Sequence, residues 1–480
     1  MNDCYVGIDI GTTNTKAAIL HTDGTLGPSL KADTPFYSAC GAVFFNLSLL
    51  ENIIRDFKNK IKERYHILGI SFTSVGESVV PVRNGKALAD PLFWNDPVTE
   101  DTARNTPIDS EECNPEMNRK GKINATLSIY KIIWMRNTLR MDEPEFWLPI
   151  ASYFIYRFIH IPCWDYSQAS RTLLLDINRG KWKTDLLRRF DIKDRMPQVN
   201  AMGSCIGKDE EGTSYALGGH DHITGLFCIE TLAEKRPFIF DSIGSSESMV
   251  TLTGSREFRS GSGEICIGVA FDPGRLYVLN AIIYSGIFMK FIARLGGSDD
   301  AGLFFKTMND ELLKSASPPE KIFPVIIGGD PVMGLEKSGV SFVNMPVDTD
   351  IVWLTHTAYV YMATMARLNI EKLGSYTDSG ALIIAGGGGT VNNLYMQYRA
   401  AILDRPVHIV PSVETGGIGA ALCAARALKD EKTAAAFRQN QDFHVIRPDY
   451  KWGSLIRRQS EELLSFYRDM SGKKLSEILI

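Results

Sequence analysis

The sequence predicts an α/β protein built from two similar halves, on three observations. Asp9 begins Asp-Ile-Gly-Thr-Thr-Asn-Thr-Lys and Asp241 begins Asp-Ser-Ile-Gly-Ser-Ser-Glu-Ser. Each turn follows a short apolar, strand-like run, Tyr5–Ile8 and Pro237–Phe240, near the start of one half of the chain. The order of strands, hairpins and helices after the first turn is repeated, more loosely, after the second. A length of 480 residues gives each half enough chain for its own core.

The first half begins with strands at Tyr5–Ile10 and Thr15–His21, with Asp23-Gly24 as the hairpin turn to the next strand. Leu50, Ile53, Ile54, Phe57 and Ile61 have the spacing of a buried helical face. His66–Thr73 returns as a strand, and Arg83-Asn84-Gly85 marks another hairpin. Residues 126–160 read as two helices separated by the turn-like Arg140–Pro144. Strand, hairpin, strand and then helix is the order of a ribonuclease H-like unit. In the second half, strands are expected at Arg236–Asp241, Met249–Leu252 and Leu276–Ile283, then a helix at Gly286–Leu295. Residues 296–345 read as irregular. A long helix over about 351–373 leads into a strand at Ala381–Ala385 and the glycine run Gly386–Gly389. Gly416–Leu428 reads as a small-residue helix that packs closely on a neighbour, and a tail helix carries Ile456, Leu463 and Tyr467. The expected domains are 1–228 and 229–480, joined through an ordinary loop near 225–235.

Composition narrows the function. Apolar residues at 44% and charged residues at 22% are ordinary for a soluble globular protein. A formal net charge of −4 without a basic stripe argues against nucleic acid as partner. The eight cysteines are scattered with no Cys-x-x-Cys pair, which fits reduced thiols rather than a disulfide framework or a zinc site. No apolar run is long enough for a membrane span, and no basic-then-apolar leader opens the chain. A cytoplasmic protein with no membrane partner is the expectation.

Two glycine-hydroxyl turns suit a divided grip on one polyphosphate. Glycine lets the backbone approach closely, and hydroxyls and backbone N–H groups donate. A carboxylate such as Asp9 repels phosphate but can hold a hydrated Mg²⁺ that bridges to it. Asp221, in Gly218-Gly219-His220-Asp221-His222, lies between a strand-like run and a helix-spaced one. There it can take a proton from an attacking hydroxyl, or it can simply cap the helix after a Gly-Gly turn. Gly386–Gly389 with Asn392-Asn393 reads either as a flat shelf for adenine or ribose or as a tight strand-to-helix turn. Glu77 and the Trp94-Asn95-Asp96 trio suit sugar hydroxyls beside an aromatic face, or surface turns. His160, His356 and His408 lack partners at metal spacing and read as structural. No Gly-x-Ser-x-Gly elbow and no Walker A loop occurs.

Taken in order, these segments resemble the FGGY carbohydrate kinases of the actin-like ATPase superfamily, related to xylulose, fuculose, gluconate and glycerol kinases. Asp9–Lys16 is similar to the family's first phosphate motif, and Asp241–Ser246 to the second. Ser128-Ile-Tyr-Lys131-Ile-Ile-Trp134 and Asp165-Tyr-Ser-Gln-Ala-Ser170-Arg171-Thr172 resemble two further stretches. Gly219-His220-Asp221 resembles the catalytic segment, and Ala385–Asn393 with Gly416–Ala421 the adenosine region. The likeness runs over about residues 4–428. It implies two ribonuclease H-like (actin-like ATPase) domains, the first sugar-binding and the second nucleotide-binding, with an interdomain catalytic cleft. It also implies ATP and Mg²⁺, and a small sugar, sugar acid or polyol as acceptor, a ketose foremost. Asp221 is then the general base, and Asp9 holds Mg²⁺ through water. Glu77, Trp94, Asp96 and His222 join Asp221 at the acceptor. Thr12, Thr13, Lys16, Gly244, Ser245, Gly388, Gly389 and Asn392 face the nucleotide. Asp241 is expected to serve the fold, its turn lending Gly244 and Ser245. Gly76 stands where glycerol kinases carry arginine, which speaks against glycerol. The other readings are an actin-like ATPase without a sugar substrate and a sugar-sensing regulatory module. A homodimer is a reasonable expectation for assembly.

Overall fold

The computed structural model describes residues 2–106, 108, 125–244, 246–254, 265–282, 284–315, 325–328, 339–343, 345–412 and 414–470. The chain forms two compact units. The first comprises Met1–Lys235, Leu252–Val278 and Glu414–Asp442; the second comprises Arg236–Thr251, Leu279–Val413 and Phe443–Ile480. The chain leaves the first unit at Lys235, just past the helix Asp221–Leu232. The stretches 252–278 and 414–442, counted from sequence with the second half, belong to the first unit.

The sheet of the first unit contains β1 (Asn2–Ile10), β2 (Asn14–His21), β3 (Leu30–Asp33), β4 (Tyr65–Ser74), β5 (Cys205–Lys208) and β6 (Ser214–His220). Its spatial order is β5-β6-β4-β1-β2-β3. β1 is antiparallel to β2 and parallel to β4, and β4 is parallel to β6. The helix Leu47–Lys62 starts at Asn46, whose side chain accepts the Leu49 N–H at 3.0 Å. It buries Leu50, Ile54, Phe57 and Ile61 of the face expected from spacing, each contributing about 1.5–3 kcal/mol by transfer from water, while Ile53 at the edge of that face is only half-buried. Ser128–Thr138 and Ile150–Ile159 are the two expected helices. A strand at Phe146–Pro149, absent from the sequence reading, lies between them and pairs with Val79–Arg83.

Six strands of the second sheet repeat the plan. They are β7 (Phe238–Ile243), β8 (Glu247–Thr253), β9 (Leu276–Ile282), β10 (Leu382–Gly386), β11 (Val407–Ile409) and β12 (His444–Ile446). Their order is β9-β8-β7-β10-β11-β12. β7 is antiparallel to β8 and parallel to β10, and β10 is parallel to β11. Both sheets therefore place their first strand between an antiparallel hairpin partner and a later parallel strand, the expected ribonuclease H-like order. The helix Ile351–Leu373 buries most of its length, and Gly453–Met470 forms the tail helix with Ile456 and Leu463 buried. The expectation of irregular chain over 296–345 fails at Ala301–Lys314, a helix capped by Asp300 with Phe304, Phe305 and Leu312 buried. Its Asp cap and apolar spacing were both present in the sequence.

Candidate active site

The two turns join their antiparallel strands in similar places but close differently, Ile10 facing Thr15 across the first and Ile243 facing Glu247 across the second. Three residues, 11–13 and 244–246, connect the antiparallel strands, and each glycine N–H is bonded within its turn. Gly11 donates to the Asn14 carbonyl at 3.1 Å and Gly244 to the Ser246 carbonyl at 2.9 Å. Aligned on these glycines, however, the aspartates are out of step: Asp9 is two residues before its glycine and Asp241 three before its own. Side chains alternate across a strand, so the one-residue offset sends the two carboxylates to opposite faces.

Asp241 points into the second unit's core. Asp241 and Glu247 both take the Arg399 guanidinium, the latter at 2.9 Å, and all three are at most 1% exposed. Ser285 donates to the other Glu247 oxygen at 2.7 Å. Burial pushes the Asp241 carboxyl well above the usual carboxylate range, and the Glu247 charge adds to this against the pull of Arg399. The expectation that Asp241 serves the fold agrees with this geometry.

Asp9 shares its face with Gly7, toward the helix Thr415–Ala427. A methyl on Gly7 would stand 1.9 Å from the Gly417 carbonyl oxygen, and one on Gly416 would stand 2.9 Å from Asp9 Oδ2. This small-residue helix was grouped from sequence with the adenosine region. It packs on β1, where the glycines allow close backbone approach. Glu414, just before it, pairs with Lys16 at 3.7 Å. Asp9 Oδ1 is sealed from solvent and accepts no hydrogen bond. Burial pushes Asp9 up to about 7, with the Asp221 and Glu414 charges adding to it and Lys16 opposing. A cation between Asp9 and polyphosphate would relieve both the orphaned oxygen and the crowded charge, so the site fits Mg²⁺. Among the described residues no group of three His, Cys, Asp or Glu could cage a metal. Thr34 braces the turn by donating its N–H to the Thr13 carbonyl at 3.1 Å and its hydroxyl to the Gly11 carbonyl at 2.9 Å. Thr12 is half-buried and Thr13 exposed.

Gly218 and Gly219 lie inside β6, not in a turn, and neither has room for a side chain. Asp221 is the first residue of its helix and His220 the N-cap. Asp221 Oδ1 accepts the His222 N–H at 2.7 Å and lies 3.0 Å from His220 Nδ1. Burial alone would raise the Asp221 carboxyl, but the imidazoles of His222 and His220 hold it well below the usual range. Burial keeps His222 below its ordinary value despite Asp221. Asp165, Ser167 and Gln168 fix this segment. Ser167 accepts the His220 N–H at 2.9 Å and donates to Asp165 at 2.5 Å, while the Gln168 amide bonds Ser74 and Val75. No role was read for these three residues from sequence.

Glu77 is 3% exposed and has φ +62, in the left-handed region. Arg171 holds it, its Nε donating to Glu77 Oε1 at 2.5 Å, and also bonds Cys266. Lys131 is fully buried with its ammonium on the Thr126 carbonyl. Burial brings it down to about 8 against the pull of Glu77 and Asp96. Both Asp96 oxygens already accept backbone N–H groups, from Val43 at 2.7 Å and Val98 at 3.0 Å. Trp94 is half-buried beside Phe93, with ring centroids 6.4 Å apart.

In the second unit, Gly387 (φ +92) and Gly389 lie against Ile243, where a methyl would clash at 2.5 and 2.3 Å; Gly388 is exposed and faces open space. Gly244 accepts the Gly286 N–H at 3.1 Å. Asn392 caps the helix Asn393–Leu403; its oxygen takes the Tyr395 N–H at 3.1 Å and the Asn309 amide at 3.0 Å, and its nitrogen donates to Tyr359 at 2.8 Å. Both ends of its amide thus build the turn. Ser245 lies outside the described residues. His356 is sealed between Tyr398 and Gln459, as a structural histidine.

Comparison with known proteins adds independent evidence. Residues 4–228 match the family model for the N-terminal domain of the FGGY family of carbohydrate kinases, and residues 332–428 match its C-terminal domain. A glycerol kinase of Enterococcus casseliflavus is 24% identical, with 88% of each chain covered. A ligand-bound xylulose kinase from Lactobacillus acidophilus superposes with a TM-score of 0.83 at 17% identity, covering 98% of this chain and 99% of that one. A Plasmodium falciparum glycerol kinase with ADP gives 0.82 at 17% identity, covering 99% of each. At these identities the two structures speak for the fold.

Proposed function

The chain belongs to the FGGY family of carbohydrate kinases and is a phosphotransferase, and we propose that it transfers the γ-phosphoryl group of ATP to a hydroxyl of a small sugar, sugar acid or polyol, with a ketose foremost. Asp221 is the general base. The observation that carries this reading is a carboxylate at a helix start whose Oδ1 accepts the His222 N–H at 2.7 Å and stands 3.0 Å from His220 Nδ1, contacts that favour its ionised form. A base must be ionised to take a proton, and the helix N-terminus adds to that preference.

Thr12, Thr13 and Lys16 serve the polyphosphate, with Asp9 holding hydrated Mg²⁺. Bound Mg²⁺ neutralises charge on the phosphate oxygens. Gly244 and Ser245 serve the phosphates from the second turn, and Gly388 and Gly389 take the adenosine, the open face at Gly388 suiting a flat ring. Asn392 supports that shelf through its bonds to Asn309 and Tyr359. The acceptor lies by Glu77, Trp94 and His222. Asp96 shapes this pocket through the backbone it holds, more than through a free oxygen. Chemistry proceeds by positioning: Asp221 takes the proton of the attacking hydroxyl as its oxygen bonds phosphorus, and ADP leaves. Glycerol itself is disfavoured, because the space beside Gly76 is filled by His220.

A coupled ADP-release screen over pentuloses, hexuloses, aldonates and polyols tests the proposal. The expected result is acceptor-dependent ADP release with a phosphorylated product. ATP hydrolysis indifferent to every sugar would favour the actin-like ATPase reading instead.

A further inference from the structure

Asp221 does not face its substrate alone. His220 Nδ1 stands 3.0 Å from Asp221 Oδ1, and the same His222 N–H lies 2.7 Å from that oxygen and 3.3 Å from that nitrogen. The shorter of the two contacts satisfies the His222 N–H. If Nδ1 carried no proton, it would share the His222 N–H with Oδ1 over the longer 3.3 Å contact, and the two acceptors would still stand 3.0 Å apart with no proton of their own between them. With a proton on Nδ1 the same contact is a charge-assisted hydrogen bond. We infer that His220 is a positioning residue for the base: it holds the Nδ1–H tautomer, donates to Asp221 Oδ1, and so leaves Oδ2 as the oxygen that meets the acceptor hydroxyl. This rests on Asp221 being the general base.

Three further features support the assignment. His220 is 7% exposed, with its backbone pinned by Ser167, so the ring has little freedom to leave. The His222 ring stacks on it at 5.4 Å between centroids and 28° between planes. On the other side lies Gly76, where a methyl would meet His220 Cδ2 at 2.4 Å and Nε2 at 2.6 Å. β6 pairs His220 with Ser74 on β4, and this register carries the ring to the glycine. Gly76 and His220 are thus one device: the missing side chain at 76 is what admits the imidazole. The charged groups around the ring are Asp221, His222 and Asp165, the last reached through Ser167.

The tautomer can be read without any sugar. Long-range ¹H–¹⁵N spectra of histidine-labelled protein, with the His220 signals assigned by their loss in His220→Asn, should show a protonated Nδ1 and a bare Nε2. A protonated Nε2 with a bare Nδ1 overturns the inference. Kinetics give a second reading, using the sugar that releases ADP fastest in the screen. His220→Leu should lower kcat by at least ~10-fold, toward the ~10²-fold cost of misplacing a catalytic group by an ångström, with KM for ATP little changed. His220→Asn, whose amide nitrogen can occupy the Nδ1 position, should recover most of that loss. Gly76→Ala should resemble His220→Leu, and the double variant should be no worse than either, because both remove the same contact. Additive losses, or a His220→Asn as slow as His220→Leu, overturn the inference. An active Asp221→Asn would overturn the general-base reading instead, so the two failures are separable.

Discussion

Replacing Arg399 by methionine tests the claim that the second aspartate belongs to the core. The guanidinium is 1% exposed and serves Asp241, Glu247 and the Tyr395 hydroxyl. Methionine keeps most of the stem volume but leaves two buried carboxyl groups without a cation. Removing one partner of a buried ion pair costs about 3–5 kcal/mol. At roughly 2–4 °C per kcal/mol for a unit of this size, the transition of the second unit should fall by about 6–20 °C. Urea and thermal unfolding measure it. The pH dependence has a definite sign. The folded Asp241 carboxyl is raised above its unfolded value, so its stabilising protonated form is fully present at acid pH and is lost as pH rises. Without Arg399 the folded value rises further, so the deficit should be small near pH 4 and grow toward pH 8. The companion Asp241→Asn keeps the shape and an acceptor for Arg399, and should retain turnover. A loss under ~1 kcal/mol for Arg399→Met, or a well-folded but inactive Asp241→Asn, would refute the assignment.

Two other outcomes follow from the first unit. Glu77→Ala should raise KM for the acceptor more than KM for ATP if the carboxylate that Arg171 holds serves the proposed acceptor site; equal effects on both would remove it from that site. Gly416→Ala places a methyl 2.9 Å from Asp9 Oδ2, so the Mg²⁺ concentration for half-maximal rate should rise at least several-fold while KM for the sugar holds; an unchanged Mg²⁺ requirement would detach Asp9 from the metal.

Much of the fold was legible because local signals agreed: turn glycines, apolar strand runs, and the helical spacing of Leu50, Ile54, Phe57 and Ile61. What escaped was mostly non-local. Thr415–Ala427 announces a closely packed helix by its glycines and alanines, but nothing in those residues says that β1, some four hundred positions earlier, is the surface they meet. Asp165, Ser167 and Gln168 look like a short capped helix; their work on Ser74 and His220 appears only when β4 and β6 pair. Asn392 was legible as a polar group beside a glycine shelf, not as one whose bonds Asn309 and Tyr359 already take. The difference between Asp9 and Asp241 was countable, since one residue of offset reverses the face of a strand. Gly76 was noticed for the arginine it lacks, whereas the structure shows the imidazole it admits.

The most direct test of the account is Asp221→Asn, assayed with the best acceptor from the screen. The amide keeps the shape of the side chain but cannot take a proton. The account predicts ATP binding within about twofold of the parent and a kcat lower by roughly 10²–10⁴-fold, the usual contribution of a general base. Near-normal turnover by that variant, with its sugar product identified, would contradict it.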